Sequence, residues 1–206
     1  SVHIVPPRAD ALAGYPLILA PGLMHLPPAL AARLCDGEAE VLLGPRTGAR
    51  TGDFAIPVPL PPALPGWDLV VSRVESLRPD MPRALVGGGQ VTGYAETLEG
   101  SGERVLTGED GSAVALRRGR VTYMGAWGDA AALDRLVADL CARARLATLA
   151  LPDGVRVRDT GAERFWFNHN PQVTETPAGP IPGPSPTWSA SACPPPGRAS
   201  STWAAS

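Results

Sequence analysis

The chain contains no lysine; all eighteen of its basic residues are arginine. With 24 prolines and 23 glycines beside that absence, the composition is that of a very GC-rich coding sequence, since lysine codons are A-rich. Cysteine is scarce as well. Cys35, Cys141 and Cys193 are odd in number and widely spaced, so neither a disulfide framework nor a zinc knuckle is indicated, and a reducing compartment is expected. No apolar run approaches the length that spans a bilayer. The net charge of −2, with no basic cluster, offers nothing to nucleic acid or an anionic membrane surface. No secretory leader is read at the amino end, and the expected location is the cytoplasm.

The remaining pattern is that of a globular α/β chain. Val2–Val5 reads as a short strand stopped by Pro6-Pro7. Leu17–Ala20 is continuously apolar, as expected of a strand covered on both faces. Pro27-Pro28 open a helix that Gly37 ends, and Glu40–Leu43 is a third buried strand. This rhythm predicts a largely parallel sheet. Residues 44–67 form a long Gly- and Pro-rich loop before Leu69–Leu77 resumes as a strand. From Gln90 to Trp127, turn chemistry at Gly100-Ser101-Gly102, Glu109-Asp110-Gly111 and Arg118-Gly119 predicts hairpins. Asp129 is placed to cap a helix whose apolar positions are Leu133, Leu136, Val137, Leu140 and Cys141. A boundary near Ala150 precedes two antiparallel strands, Val155–Arg158 and Arg164–Asn168. The last 30 residues, from Pro177 on, hold eight prolines among Ser, Ala and Gly and carry no α or β period.

Four separated blocks carry a family likeness: GPRTGARTGDFAIPVPLPP, VVSRVESLRP, RRGRVTYMGAWGD (Arg117–Asp129) and LPDGVRVRDTGAERFWFNHNP (Leu151–Pro171). Together they resemble, in the family's own order, the trimerisation and carboxyl-terminal domains of glycoside hydrolase family 42 β-galactosidases. The resemblance implies a flavodoxin-like, class I glutamine amidotransferase-like sheet over residues 1–150, its first strand and helix missing. The start of a small antiparallel β domain follows at 151–180. Residues 181–206 are expected to be a disordered tail, frameshifted near Gly183. The (β/α)8 barrel that bears the family's catalytic carboxylates has no counterpart here. The chain is therefore expected to be a non-catalytic fragment that forms homotrimers and partners a catalytic barrel, whose substrate would be terminal β-D-galactosides.

A retaining glycosidase needs two carboxyls about 5–5.5 Å apart. Glu96 and Glu99 sit beside turn residues and read as solvated, whereas Glu75 shares a strand face with Arg73 and reads as half of an ion pair. An amidotransferase places its cysteine on a tight turn after a strand, but here those turns are Pro21-Gly22 and Gly44-Pro45-Arg46. Cys35 and Cys141 read as helix-borne packing residues, and His25 and His169 lack triad context. Gly87-Gly88-Gly89 reads as a flexible loop, and Phe165-Trp166-Phe167 as a strand with one core face and one interface. Catalytic, cofactor and metal sites are thus expected to be absent. An interface is expected at Arg46, Arg50, Asp53 and Phe54 on the long loop, with Arg73 and Glu75 on the strand after it. The alternative is a free-standing, amidotransferase-like ligand-binding module.

Overall fold

Two four-residue strands, the apolar Leu17–Ala20 (β1) and Glu40–Leu43 (β2), pair in parallel, and the helix Pro28–Asp36 (α1) carries the chain between them. Pro28 suits the first helical turn because its missing N–H is one that a helix start leaves unpaired, and Gly37 is the terminal cap. In the computed structural model, residues 2–183 are described. The chain forms two units: Val5–Ala147, and the residues from Thr148 onward together with those before Val5.

The larger unit continues with Val70–Ser76 (β3), Arg83–Ala84 (β4), Gln90–Glu99 (β5), Glu103–Thr107 (β6), Ala113–Arg118 (β7), Val121–Met124 (β8), Ala126–Gly128 (β9) and Ala130–Arg143 (α2). One sheet has the order β1-β2-β8-β7-β6; a second has β3-β5-β4, with β9 also pairing β5. The first sheet is only half parallel. β2 pairs β8 in parallel, but β8 with β7 and β7 with β6 are antiparallel. The turns at Glu109-Asp110-Gly111 and Arg118-Gly119 are too short for a crossover, so they permit only antiparallel neighbours. Gly100–Gly102 makes no hairpin: β5 pairs β3 while β6 pairs β7, so this turn passes the chain from one sheet to the other.

Alternation along β2 divides the core. Val41 and Leu43 face the cluster that includes Leu30 and Leu34 of α1, while Leu42 faces the cluster that includes Leu136 and Leu140 of α2. Asp129 caps α2 by accepting from Ala132 N at 2.9 Å. Of the expected apolar positions, Leu136 and Leu140 are buried, Val137 and Cys141 are half-buried, and Leu133 faces solvent. Two buried charges tie helix to sheet. Glu40 accepts from Arg143 Nε at 2.9 Å and Arg120 Nη1 at 3.4 Å. Arg117 reaches Asp139 on α2 and donates to Thr122 at 3.0 Å.

Other expectations need correction. Val2–Val5 is no strand, and Val2 and Ile4 are exposed; strand propensity over four residues is a weak preference that tertiary context overrides. β1 lies at the sheet's end, so Leu19 remains 46% exposed instead of covered. Gly87-Gly88-Gly89 is an ordered turn. All three glycines have positive φ (79°, 95° and 81°), which lets Leu85 N bond Gly89 O at 3.0 Å and Gly88 N bond Leu85 O at 3.1 Å.

In the smaller unit, Val155–Asp159 (β10) pairs Arg164–Asn168 (β11), and Thr174–Thr176 (β12) pairs Gly179–Ile181 (β13). β13 lies in the stretch beyond Pro177 that lacks any β period. Pro180 is tolerated because alternate residues of a two-stranded antiparallel ladder point their N–H away from the partner, where a missing donor costs no ladder bond. Phe165 and Trp166 are half-buried and Phe167 is exposed. Cys193 and the tail read as frameshifted fall among residues 184–206, outside the described residues.

Leu136 is 1% exposed at the centre of the second cluster. Leu136→Ala is expected to cost about 2–5 kcal/mol of unfolding free energy, read as a shift in the denaturant midpoint. Leu133→Ala, at a solvent-facing position of the same helix, is expected to shift it far less.

Candidate interface and the carboxylate beneath it

The loop that leaves β2 turns sharply at Gly44-Pro45-Arg46. Gly44 N bonds Ala20 O at 2.8 Å, and a side chain at Gly44 would run into the Pro21 backbone. Arg46 then adopts φ 68°, a left-handed conformation uncommon outside glycine. Thr47, fully buried, donates its hydroxyl to Gly44 O at 2.7 Å and closes the turn.

Glu96 of β5 holds this conformation. Its Oε1 accepts from Arg46 N at 2.8 Å and from Tyr94 Oη at 2.9 Å, and its Oε2 accepts from Tyr123 Oη at 2.7 Å. Expected in solvent, Glu96 is instead 6% exposed. Tyr123 of β8 in the first sheet and Arg46 of the loop both reach it from outside its own sheet. Burial, followed by the adjacent Glu96 charge, pushes the Tyr94 hydroxyl up to about 12 and raises that of Tyr123 further. Both phenols therefore remain protonated donors at neutral pH. Tyr94 also lies against Trp127, with ring centroids 5.5 Å apart, and Trp127 is half exposed.

Beyond this root the loop is fastened to the segment after β1. Gly48 N bonds Leu23 O at 2.8 Å and Arg50 N bonds Met24 O at 2.9 Å. Arg50 turns Nη1 back to Ala49 O at 3.0 Å. Asp53 accepts from the Thr51 hydroxyl, and this bond holds its carboxyl below the usual range. Phe54 has φ 64° and is 77% exposed. Ile56, Val58 and Leu60 are exposed as well, alternating with Pro57 and Pro59. The loop rejoins the fold where Val71 N bonds Pro61 O at 2.8 Å and Trp67 Nε1 bonds Ser101 O at 2.6 Å.

Four of the six expected interface residues thus share one loop. Arg73 and Glu75 do not bond to it: Glu75 pairs with Arg73 at 3.2 Å and with Arg83 of β4 at 2.8 Å. Ile56, Val58, Leu60 and the Glu96 cluster escaped the sequence reading. One signal was present, since a tyrosine inside the apolar strand Val121–Met124 requires a buried partner for its hydroxyl.

Among the described residues, no group of three or more His, Cys, Asp or Glu side chains is placed to hold a metal. Burial pushes the Cys35 thiol up to about 11, with Asp36 adding to the shift. That is the opposite of an activated nucleophile. The turn at Arg46 has the left-handed backbone on which strand-end nucleophiles sit, yet it carries arginine, and its amide is already bonded to Glu96.

The profile of the family described as "Beta-galactosidase trimerisation domain" matches residues 1–147. The chain belongs to that family. The trimerisation-domain chain is 36% identical over 185 residues to a β-galactosidase of Thermus thermophilus, which covers 86% of this chain and 28% of that protein. It is 32% identical over 206 residues to the β-galactosidase Bga of Halorubrum lacusprofundi, covering 82% and 28%. Among solved structures it superposes on the β-galactosidase of the psychrophilic Marinomonas ef1 with a TM-score of 0.73 at 32% identity, over 79% of this chain and 26% of that one. The Rahnella sp. R3 enzyme, at 18% identity and a TM-score of 0.67, shares the fold over 81% of this chain and 29% of its own. The trimerisation-domain chain therefore spans less than a third of the length of these relatives.

Two outcomes follow. Tyr123→Phe removes one of three donors from a buried carboxylate and is expected to cost about 1–3 kcal/mol of stability, measured by chemical denaturation. Cys35 keeps its proton to a higher pH when folded than when unfolded. Its contribution is therefore complete below about pH 9 and is lost as pH rises toward about 11. Cys35→Ala should flatten the fall in stability across that window.

Proposed function

We propose that this chain is the oligomerisation and carboxyl-terminal portion of a retaining β-galactosidase, acting by self-association and without catalysis of its own. The family match over residues 1–147 carries this reading. In this reading, a barrel belonging to the same enzyme cleaves terminal non-reducing β-D-galactose, an inference supported by relatives named as β-galactosidases. The assembly is a homotrimer in the cytoplasm. Among the described residues, the free cysteines Cys35 and Cys141 support that compartment, and the net charge of −2 supports a partner that is neither nucleic acid nor membrane.

Its contact surface is the loop bearing Arg46, Arg50, Asp53 and Phe54. Arg73 and Glu75 form a charged margin on β3, beside the point where Val71 meets Pro61. The β1-α1-β2 crossover and its parallel junction with β8 support descent of the first sheet from a flavodoxin-like, amidotransferase-like fold. The occupied amide at Arg46 and the protonated thiol of Cys35 favour a framework over a live amidotransferase or ligand-binding module.

Sedimentation velocity across a concentration series, paired with a chromogenic β-galactoside assay, tests this reading. The expected result is reversible self-association with no turnover. Galactoside hydrolysis by the pure chain would overturn it.

A further inference from the structure

We propose that a second copy of this chain docks on the apolar ridge Phe54–Leu60, and that Glu96 is the residue that positions that ridge; this rests on the oligomerisation reading above. Phe54, Ile56, Val58 and Leu60 are 77%, 64%, 95% and 46% exposed within seven positions. That density of exposed apolar side chains is uncommon on the surface of a monomer and marks an interaction site.

The chemistry of the ridge selects its partner. No residue from Phe54 to Leu60 is charged, so an acidic peptide, a nucleic acid or a lipid headgroup finds no counter-charge there. Pro57 and Pro59 have no N–H, so the segment cannot serve as a full hydrogen-bonding edge for an added strand. Side-chain packing remains, and it requires an apolar surface of matching shape. The membership of residues 1–147 in a trimerisation-domain family makes another copy of this chain the occupant.

The ridge is also held in place before any partner arrives. Glu96 fixes Arg46 at its root, Leu23 and Met24 accept from Gly48 and Arg50, and Val71 donates to Pro61 at its end. A ridge anchored at both ends loses little conformational freedom on docking. The Thr47–Gly44 and Ala49–Arg46 hydrogen bonds close the turn locally, whereas the hydrogen bond from Arg46 N to Glu96 ties it to β5, so the direction in which the loop leaves β2 depends on that carboxylate.

The test uses the 206-residue chain in sedimentation equilibrium, with melting temperature recorded for every variant. Ile56→Asp and Val58→Asp should each weaken self-association roughly tenfold or more while leaving the melting temperature nearly unchanged, because both side chains already face water. Leu133→Asp, an exposed apolar position on α2, should leave association intact. Glu96→Gln should weaken association and speed amide exchange at Arg46 and Gly48 but not along α2. Combined with Val58→Asp, it should add less than its separate effect, because both act through one surface.

Should wild-type chain associate while both aspartate variants do so equally well, the ridge is overturned and the oligomerisation reading stands. A chain monomeric at every concentration overturns both. Full additivity of Glu96→Gln with Val58→Asp, or loosened exchange across the whole fold, overturns the positioning role of Glu96. Where Glu96→Gln fails to fold, Tyr94→Phe takes its place and removes a single donor from the same carboxylate.

Discussion

The Glu96 carboxylate places negative charge where water scarcely reaches, and three donors from separate parts of the chain surround it. Burying an unpaired carboxylate is prohibitively costly, so the arrangement holds only as a complete set. Tyr94 belongs to the same strand as Glu96, Tyr123 to the central sheet, and Arg46 to the start of the long loop. One side chain therefore joins the two sheets and the loop, and the geometry of each depends on the other two.

The same logic extends through the other buried charges. Glu40 is met by Arg120 and Arg143, and Arg117 by Asp139, Glu103 and Thr122. A guanidinium offers several donors in a fixed plane, whereas an ammonium is a compact, strongly hydrated point charge. A protein whose cations are all arginine can therefore tie helix ends to a sheet with forked contacts. At Arg117, Nε serves Thr122 while the terminal nitrogens serve two carboxylates, a division of labour that lysine could not reproduce.

What could be read from the chain follows the range of the forces involved. The strands β1 and β2, helix α1 with its proline start and glycine stop, and the Asp129 cap were legible because each depends on neighbours a few residues away. The hairpin turns at Asp110-Gly111 and Arg118-Gly119 were legible for the same reason. Sheet membership was not, because nothing local to Gly100–Gly102 says whether the next strand folds back on β5 or leaves for another sheet. Glu96 was misjudged on the same grounds. Its polar neighbours suggest solvent, and its burial is decided by Tyr123 and Arg46, which are remote in sequence. The arginines, Asp53 and Phe54 mark the loop as an interface candidate, while nothing local to Ile56, Val58 and Leu60 says that they face outward.

The position of β2 between β1 and β8 bears on the order in which the fold assembles. Leu17–Ala20 and Glu40–Leu43 meet early, across one short helix, but the other side of β2 has no partner until residue 121 has been made. In the interval the chain must lay out the loop, β3 to β5 of the second sheet, and β6 and β7 of the first. Closure over so long a separation is entropically demanding and slows folding. During synthesis the nascent β1–α1–β2 unit would present Leu42, on the face away from α1, without cover, and residues 121–124 join β2 to the rest of the sheet while supplying the Tyr123 hydroxyl that Glu96 awaits.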